Sequence, residues 1–177
     1  MKSIYLLTGR PGTGKTSLIK QVVAESELKT GGFYTEEIRS QGSRTGFKLL
    51  TLDGQEAVLA HIDFNKRFQV GKYGVDVASL DKVGVPALRK AAVQCDLVII
   101  DEIGKMELFS ADFRRAVLDI IGGDKRVLGT IMLHANPWAD DIKRRPQVNL
   151  VTVTRAGYQQ VLDDLYRWLK MTDNSQG

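Results

Sequence analysis

The chain has few of the residues that build disulfides and soft-ligand metal sites. Its 177 residues include one cysteine, Cys95, and two histidines, His61 and His134. A single thiol cannot form an internal disulfide, and this set lacks the spacing of a structural zinc site. The sequence therefore excludes a disulfide scaffold and a cysteine/histidine zinc module, and it suits a reducing compartment.

Long apolar runs are also missing. The apolar stretch that follows Met1, Lys2 and Ser3 stops at Gly9. It is too short for the core of a signal peptide and much too short to cross a bilayer. We therefore expect a cytoplasmic protein with no membrane association.

Neither sign of charge dominates. The chain has 25 basic and 21 acidic residues, a net charge of +4, which favours anionic ligands without requiring nucleic acid. The densest basic cluster, 143–145, lacks interleaved aromatic residues and is more typical of a solvated helix end than of a nucleic-acid surface. With 43% hydrophobic residues, the composition predicts one globular domain, residues 1–170, followed by a polar tail, 171–177.

Short β-branched runs alternate with amphipathic segments, which predicts an α/β fold with a largely parallel central sheet flanked by helices. The first strand is expected at 4–8 and a helix after Gly14. Because 97–100 is apolar at every position, it is expected to be a central strand covered on both faces. The remaining predicted elements are helices near 86–94, 113–121, 139–145 and 161–169, and strands at 126–133 and 148–154.

Residues 31–63 follow a different pattern. Three short runs of alternating polarity are separated by turn residues, including Asp53-Gly54, which predicts an antiparallel hairpin or meander inserted in the α/β unit. A loop is expected around 72–77. We expect the strand at 31–38, or its neighbour, to lie between the two strands that carry the motifs described below.

The first of these motifs follows the first strand. Gly9, four residues, and then Gly14-Lys15-Thr16 is the spacing of a phosphate-binding loop at the start of a helix. Glycines let successive N–H groups point inward, and the helix N-terminus adds its positive dipole end. Lys15 would reach the β/γ-phosphates, and the Thr16 hydroxyl would take one position on Mg²⁺.

The second motif ends the buried strand. Asp101 suits the Walker B role of holding Mg²⁺, and Glu102 could orient and deprotonate the attacking water. Transfer of the γ-phosphate also needs a cation on the developing charge. Arg39, Arg44 and Lys105 are candidates, although each is better explained as a surface or hairpin charge.

Together with these motifs, the segments "TGRPGTGKTSL", "GGFYTEEIR", "RTGFKLL", "YGVDV" and "DEIGKMELFS" resemble the THEP-type nucleoside triphosphatases, small P-loop enzymes that include the cancer-related nucleoside triphosphatase of animals. The resemblance runs from Thr8 to Ser110 and is weaker beyond. It implies a RecA-like P-loop NTPase fold with a hairpin insertion, a monomer, and Mg²⁺-dependent hydrolysis of ATP, GTP and other nucleoside triphosphates to the diphosphate and phosphate, with broad base tolerance.

By this resemblance, two segments contact the nucleotide. The first is the phosphate loop, and its residues are Gly9, Arg10, Pro11, Gly12, Thr13, Gly14, Lys15, Thr16 and Ser17. The second is the end of the buried strand, and its residues are Leu97, Val98, Ile99, Ile100, Asp101, Glu102, Ile103 and Gly104. The family has an Asn-Arg pair at the start of its last helix, where this chain has Gly157-Tyr158, so no base or ribose contact is carried over there.

Two alternatives have the same phosphate loop. A nucleotide or nucleoside kinase would need an acceptor pocket and usually an arginine-rich lid, and the C-terminal third offers only the short 143–146 segment. An NTP-dependent switch would act with a nucleic-acid or protein partner, which the modest net charge does not favour. Phosphate release without any acceptor would favour hydrolysis, and a large stimulation by RNA or DNA would favour the switch.

Overall fold

The computed structural model describes residues 2–171, which form one mixed sheet with helices on both faces. The predicted tail, apart from Met171, lies outside these residues. The strands are β1 (Ile4–Thr8), β2 (Thr30–Ser40), β3 (Ser43–Thr51), β4 (Glu56–His61), β5 (Phe68–Val70), β6 (Tyr73–Val75), β7 (Leu97–Ile103), β8 (Arg126–Ile131) and β9 (Val148–Thr152). The helices are α1 (Lys15–Glu25), α2 (Val77–Ser79), α3 (Val85–Gln94), α4 (Ala111–Ile121), α5 (Pro137–Lys143) and α6 (Tyr158–Lys170).

The nine strands are ordered β5-β6-β4-β3-β2-β7-β8-β1-β9. The five from β2 to β9 are parallel, and β3, β4, β6 and β5 continue the sheet in antiparallel fashion. Strand β2 joins the two parts, because residues 30–33 pair with β7 whereas residues 33–40 pair with β3. The predicted α/β class and the antiparallel character of 31–63 are confirmed.

The prediction for the strand between the two motif strands was wrong. That place is taken by β8, which pairs with β1 on one side and with β7 on the other, whereas β2 lies on the far side of β7. Both β2 and β8 contain apolar runs of strand length. Periodicity identifies strands but does not say which pair, because pairing depends on the path of the crossover helices.

The loop expected around 72–77 was also wrong in part, because Tyr73–Val75 forms β6. Strands β5 and β6 are three residues each and pair across a turn in which Gly71 has a φ of +56°. Runs this short do not show the alternation of apolar and polar residues by which a strand is predicted. The antiparallel part of the sheet therefore continues past residue 63 to residue 75.

Each face of the sheet has its own hydrophobic core. Helices α1 and α6 cover one face, where Leu18, Ile19 and Leu165 pack on β1, β7 and β8. Helices α3, α4 and α5 cover the other, where Phe113 packs on Phe33 with ring centroids 6.3 Å apart. Residues 97–100 are fully buried between the two cores, as predicted. Among residues 2–171, no helix is long and apolar enough to cross a membrane.

Candidate active site

A glycine-rich loop, residues 9–14, connects β1 to α1 at the carboxyl edge of the parallel strands. Gly9, Gly12 and Gly14 have φ angles of +146°, +78° and +89°, a region that only glycine enters without strain. Helix α1 begins at Lys15, and no side chain caps its N-terminus. Its first N–H groups therefore point towards the loop without a side-chain acceptor, which is the arrangement that suits an anion.

A residue directly after β9 and the first residue of α6 pack against this loop. A Cβ on Gly9 would lie 2.6 Å from the carbonyl oxygen of Val153, and one on Gly14 would lie 2.9 Å from the ring of Tyr158. Neither position has room for a side chain. Tyr158, one of the two residues at which the sequence departs from the family pattern, thus packs directly against the loop.

Lys15 lies along the inside of the loop. Its ammonium donates hydrogen bonds to the carbonyl oxygens of Gly9, at 3.0 Å, and Arg10, at 2.9 Å. Thr13 donates to the same Arg10 oxygen at 3.0 Å, while the Arg10 side chain is exposed. The lysine charge is therefore anchored at the loop and faces the cavity that the loop borders.

Asp101, near the end of β7, is 2% exposed and held from three sides. The Thr16 hydroxyl donates to one carboxylate oxygen at 2.8 Å, the Thr130 hydroxyl donates to the other at 2.6 Å, and the backbone N–H of Thr35 donates as well. Burial raises the pKa of Asp101, and the hydrogen bonds from Thr130 and Thr16, together with the charge of Lys20, oppose that rise. Two oxygen-bearing groups of the kind that could hold a hard cation, the carboxylate and the Thr16 hydroxyl, thus lie side by side next to the loop.

We expect Thr130→Val to lower the free energy of unfolding by about 1–3 kcal/mol, because it leaves a buried carboxylate without one of its hydrogen-bond donors. Urea unfolding of the two proteins measures the difference. Thr8→Val is the matched control. The Thr8 hydroxyl is buried and has no partner among residues 2–171, so its removal should be neutral or stabilising. Equal losses in both variants would contradict the assignment of the Thr130 hydrogen bond.

Two further carboxyl groups follow Asp101. Glu102 is partly buried and folds over Gly104, and its pKa is raised by burial and by the charge of Asp101, while Lys15 lowers it. Glu107, in a short 3₁₀ turn, is 4% exposed. Burial, with the charge of Glu102 adding to it, raises the pKa of Glu107 well above its ordinary value. Sequence reasoning missed Glu107, and the one available signal was a glutamate within the apolar stretch 106–109.

Glu107 makes stability depend on pH. Its folded-state pKa lies above the ordinary value of 4.5, so the folded protein binds this proton more tightly than the unfolded chain. This contribution to stability is fully present below pH 4.5 and is lost as the pH rises through the folded-state pKa. We expect Glu107→Gln, which cannot ionise, to gain stability relative to the parent protein as the pH rises. Urea unfolding across the range from about pH 5 to 8 tests this, and parallel curves would contradict it.

The three candidate cations are placed differently. Arg39 is exposed and does not border the cavity, although its ion-pair partner Glu37 does. Arg44 borders the cavity, donating to the Tyr73 hydroxyl at 3.0 Å and to Glu37 at 3.1 Å. Lys105 also borders it. Two of the three predicted cations are therefore brought together with the loop, and one is not.

Most of these groups border one cavity of about 710 Å³, which is lined by the glycine loop and by residues of β3, β4 and β6. The residues predicted for the site that line it are Gly9, Pro11, Gly12, Gly14, Lys15, Thr16, Ser17, Arg44, Asp101, Glu102 and Lys105. His134 lines it as well. Leu97 to Ile100 and Ile103 are instead fully buried in the sheet, and Gly104 lies beneath Glu102. The structure does not bring these hydrophobic side chains to the cavity, so their assignment as nucleotide contacts stays a prediction.

Comparison with known proteins gives a consistent result. A family model described as NTPase matches residues 4–166. The chain is 44% identical over 165 residues to nucleoside-triphosphatase THEP1 of Thermotoga sp. strain RQ2, covering 93% of this chain and 94% of that protein. It is 38% identical to the cancer-related nucleoside-triphosphatase homolog of Mus musculus, covering 93% and 95%. The crystal structure of THEP1 from Aquifex aeolicus superposes with a TM-score of 0.88 at 34% identity, covering 95% of this chain and 99% of that one.

Proposed function

The chain belongs to the NTPase family, together with the THEP1 nucleoside-triphosphatases, and we propose that it hydrolyses ATP, GTP and other nucleoside triphosphates to the diphosphate and phosphate in a Mg²⁺-dependent reaction. One observation carries the proposal. The glycine loop with Lys15, the Asp101–Thr16 pair and Glu102 all border one cavity, although they come from two strands that are not neighbours. A turn that only connected β1 to α1 would not require these groups to border a common cavity.

In this proposal the fold is that of a P-loop NTPase, and residues 9–17 hold the phosphates. The positive-φ glycines turn backbone N–H groups inward, and the uncapped start of α1 adds its dipole. Lys15 already lies inside the loop, so its ammonium can exchange its carbonyl partners for phosphate oxygens with little movement. The loop itself supplies binding and orientation rather than a reacting group.

The Asp101 carboxylate and the Thr16 hydroxyl fit Mg²⁺. Both are hard oxygen donors, they touch each other at 2.8 Å, and they lie beside the loop. Mg²⁺ keeps most of its shell as water and phosphate oxygen and needs few protein ligands. When bound, it would neutralise charge on the β- and γ-phosphates. Among residues 2–171 no group of three or more His, Cys, Asp or Glu could hold a metal, so a metal with a larger protein ligand set is not favoured.

Catalysis would then depend on positioning and on one proton transfer. Glu102 follows Asp101 directly and lies at the cavity wall, where it can hold a water molecule opposite the bond to the leaving diphosphate and take its proton. Lys15 would stabilise the charge that develops on the γ-phosphate. Arg44 or Lys105, both at the cavity, would supply the second cation.

The experiment is phosphate release from ATP, GTP, CTP and UTP, each with and without Mg²⁺, using the purified protein and no acceptor. Release from several nucleotides that depends on Mg²⁺ supports the proposal, because water alone then completes the reaction. Absence of release from all four would overturn it. Release restricted to one base would retain hydrolysis and overturn the broad specificity.

A further inference from the structure

The antiparallel strands bring side chains to the cavity from outside the two motifs. Only residues 30–33 of β2 pair with β7, and β2 then continues to residue 40 with β3 as its partner. Because β2 and β7 run in the same direction, this hairpin extends past the carboxyl edge at which the glycine loop lies. Arg44, near the turn of the hairpin, lines the cavity, as does Lys105. These two cations differ in how the protein holds them.

Three side chains hold the Arg44 guanidinium. Its Nε donates to the Tyr73 hydroxyl at 3.0 Å, and its Nη1 donates to Glu37 at 3.1 Å. It also lies over the rings of Phe47 and Tyr73, at 5.2 Å and 5.8 Å from their centroids. The two rings contact each other edge to face with centroids 5.3 Å apart, and Tyr73 is buried. The protein itself therefore fixes the position and the plane of this cation.

Part of the guanidinium remains available to a ligand. In the part of the chain that the structure describes, Nη2 of Arg44 has no hydrogen-bond partner, whereas Nε and Nη1 have one each. The Arg44 side chain is 42% exposed. A planar guanidinium presents its N–H donors in a fixed geometry that matches the oxygens of a phosphate group. Arg44 can therefore donate to a phosphate oxygen while Tyr73 still holds its Nε.

The ion pair with Glu37 does not prevent this use of Arg44. One carboxylate oxygen of Glu37 accepts the hydrogen bond from Arg44, and the other accepts two from Arg39, at 2.7 Å and 3.0 Å. Glu37 would therefore keep a cationic partner if Nη1 of Arg44 turned to a phosphate oxygen. Because a partly exposed ion pair contributes little to stability, the exchange has a small cost.

Lys105 is held less firmly. It is exposed, and its side chain makes no hydrogen bond or ion pair with another residue in the range 2–171. A lysine ammonium on a flexible side chain has to be ordered when the triphosphate reacts, and that ordering costs free energy. A cation that is already in place stabilises developing charge without this cost. Lys105 therefore suits attraction of the triphosphate, and Arg44 suits stabilisation of the transition state.

We propose that Arg44 is the second catalytic cation of the hydrolysis and that Tyr73 positions it. In that reaction the water oxygen forms a bond to the γ-phosphorus, the bond from that phosphorus to the oxygen of the diphosphate breaks, and Glu102 takes a proton from the water. The Arg44 guanidinium donates to a γ-phosphate oxygen throughout and stabilises the charge of the transition state. The antiparallel strands thus supply a charge that the two motifs lack. The inference rests on the proposed function, because it concerns the same triphosphate and the same water.

The test compares Arg44→Ala, Lys105→Ala and Tyr73→Phe with the parent protein. Arg39→Ala is the matched control, because Arg39 lies on the same hairpin and pairs with the same Glu37 but does not border the cavity. Phosphate release from ATP with Mg²⁺ gives kcat and KM, and urea unfolding shows that each variant folds. Calorimetry measures the affinity for ADP alone and for ADP with aluminium fluoride, which imitates the phosphoryl group in transit.

Arg44→Ala should lower kcat by about 10²–10³-fold with little change in KM, because its contact forms with charge that develops in the transition state. Its affinity for ADP with aluminium fluoride should fall by a similar factor, and its affinity for ADP alone should not change. Lys105→Ala should mainly raise KM. Arg39→Ala should behave like the parent protein.

Tyr73→Phe keeps the ring and removes only the hydroxyl that accepts from Nε of Arg44. It should lower kcat by about 2–10-fold, the effect of one hydrogen bond, and leave KM unchanged. In the Arg44→Ala background the same substitution should have no further effect on kcat, because Tyr73 acts through Arg44. A loss that persists in full in that background would overturn the positioning role.

The remaining outcomes separate the inference from the proposed function. A folded Arg44→Ala variant with the parent kcat would overturn the inference and leave hydrolysis intact. So would a loss of kcat in Lys105→Ala alone, which would make Lys105 the second cation, or an equal loss in Arg39→Ala, which would indicate a general effect of charge on the hairpin. Absence of phosphate release from the parent protein would overturn the proposed function itself.

Discussion

Lys15→Ala is expected to lower kcat/KM for ATP by about 10²–10³-fold, the usual cost of removing one group that stabilises charge in the transition state. The lysine ammonium is the one full charge that the glycine loop holds inside its own curve, through the carbonyl oxygens of Gly9 and Arg10. Steady-state phosphate release over a range of ATP concentrations measures the loss. KM should rise as well, because the same charge binds the triphosphate before reaction.

Lys29→Ala provides the control for charge alone, since Lys29 is exposed beyond the end of α1 and does not border the cavity. It removes one positive charge from the protein and should leave both kinetic constants unchanged. Urea unfolding of Lys15→Ala should accompany the assay, so that loss of folding is not read as loss of catalysis. A folded Lys15→Ala variant with the parent rate would overturn the assignment of the loop.

Glu102→Gln is expected to lower kcat by about 10²–10⁴-fold, the range of general base catalysis. Glutamine has nearly the same shape and still accepts a hydrogen bond, so it can hold the attacking water but cannot take its proton. KM for ATP should stay the same or fall, because the substitution also removes a negative charge close to the γ-phosphate. Single-turnover measurements distinguish a slow chemical step from slow release of product.

Direct measurement of ATP binding to Glu102→Gln, by calorimetry in the presence of Mg²⁺, separates the base role from a binding role. Retained affinity with lost turnover supports the assignment. If kcat were unchanged, Glu102 would not be the base, and if affinity were lost together with turnover, it would act in binding. Glu27→Gln, which makes the same replacement at an exposed position, should behave like the parent protein.

Most of the secondary structure was readable from the sequence because it depends on local pattern. Strand β1 and helices α1 and α4 lie where their apolar spacing and flanking residues predicted them. The order of the strands was not readable. The place of β8 between β1 and β7 results from packing of crossover helices on both faces, and no short segment carries that information.

The candidate site likewise contains residues that the sequence predicts and residues that it does not. The glycine loop and Asp101 belong to contiguous motifs, so their residue types and spacing were sufficient to predict them. Glu107 did not stand out, because a lone glutamate in a short helical turn usually faces solvent and only its tertiary surroundings bury it. The pairing of Arg44 with Tyr73 also cannot be predicted from the sequence, since it depends on the pairing of β6 with β4, the strand next to β3.

The packing of Val153 and Tyr158 against the glycine loop has a consequence for the order of events during synthesis. The loop follows the first strand, yet the residues that pack against it come from directly after β9 and from the start of α6, far along the chain. Strand β1 also pairs with β8 and β9, which come much later in the chain. A growing chain on the ribosome therefore carries the glycine motif early, but the loop gains the packing contacts described here only after α6 has emerged.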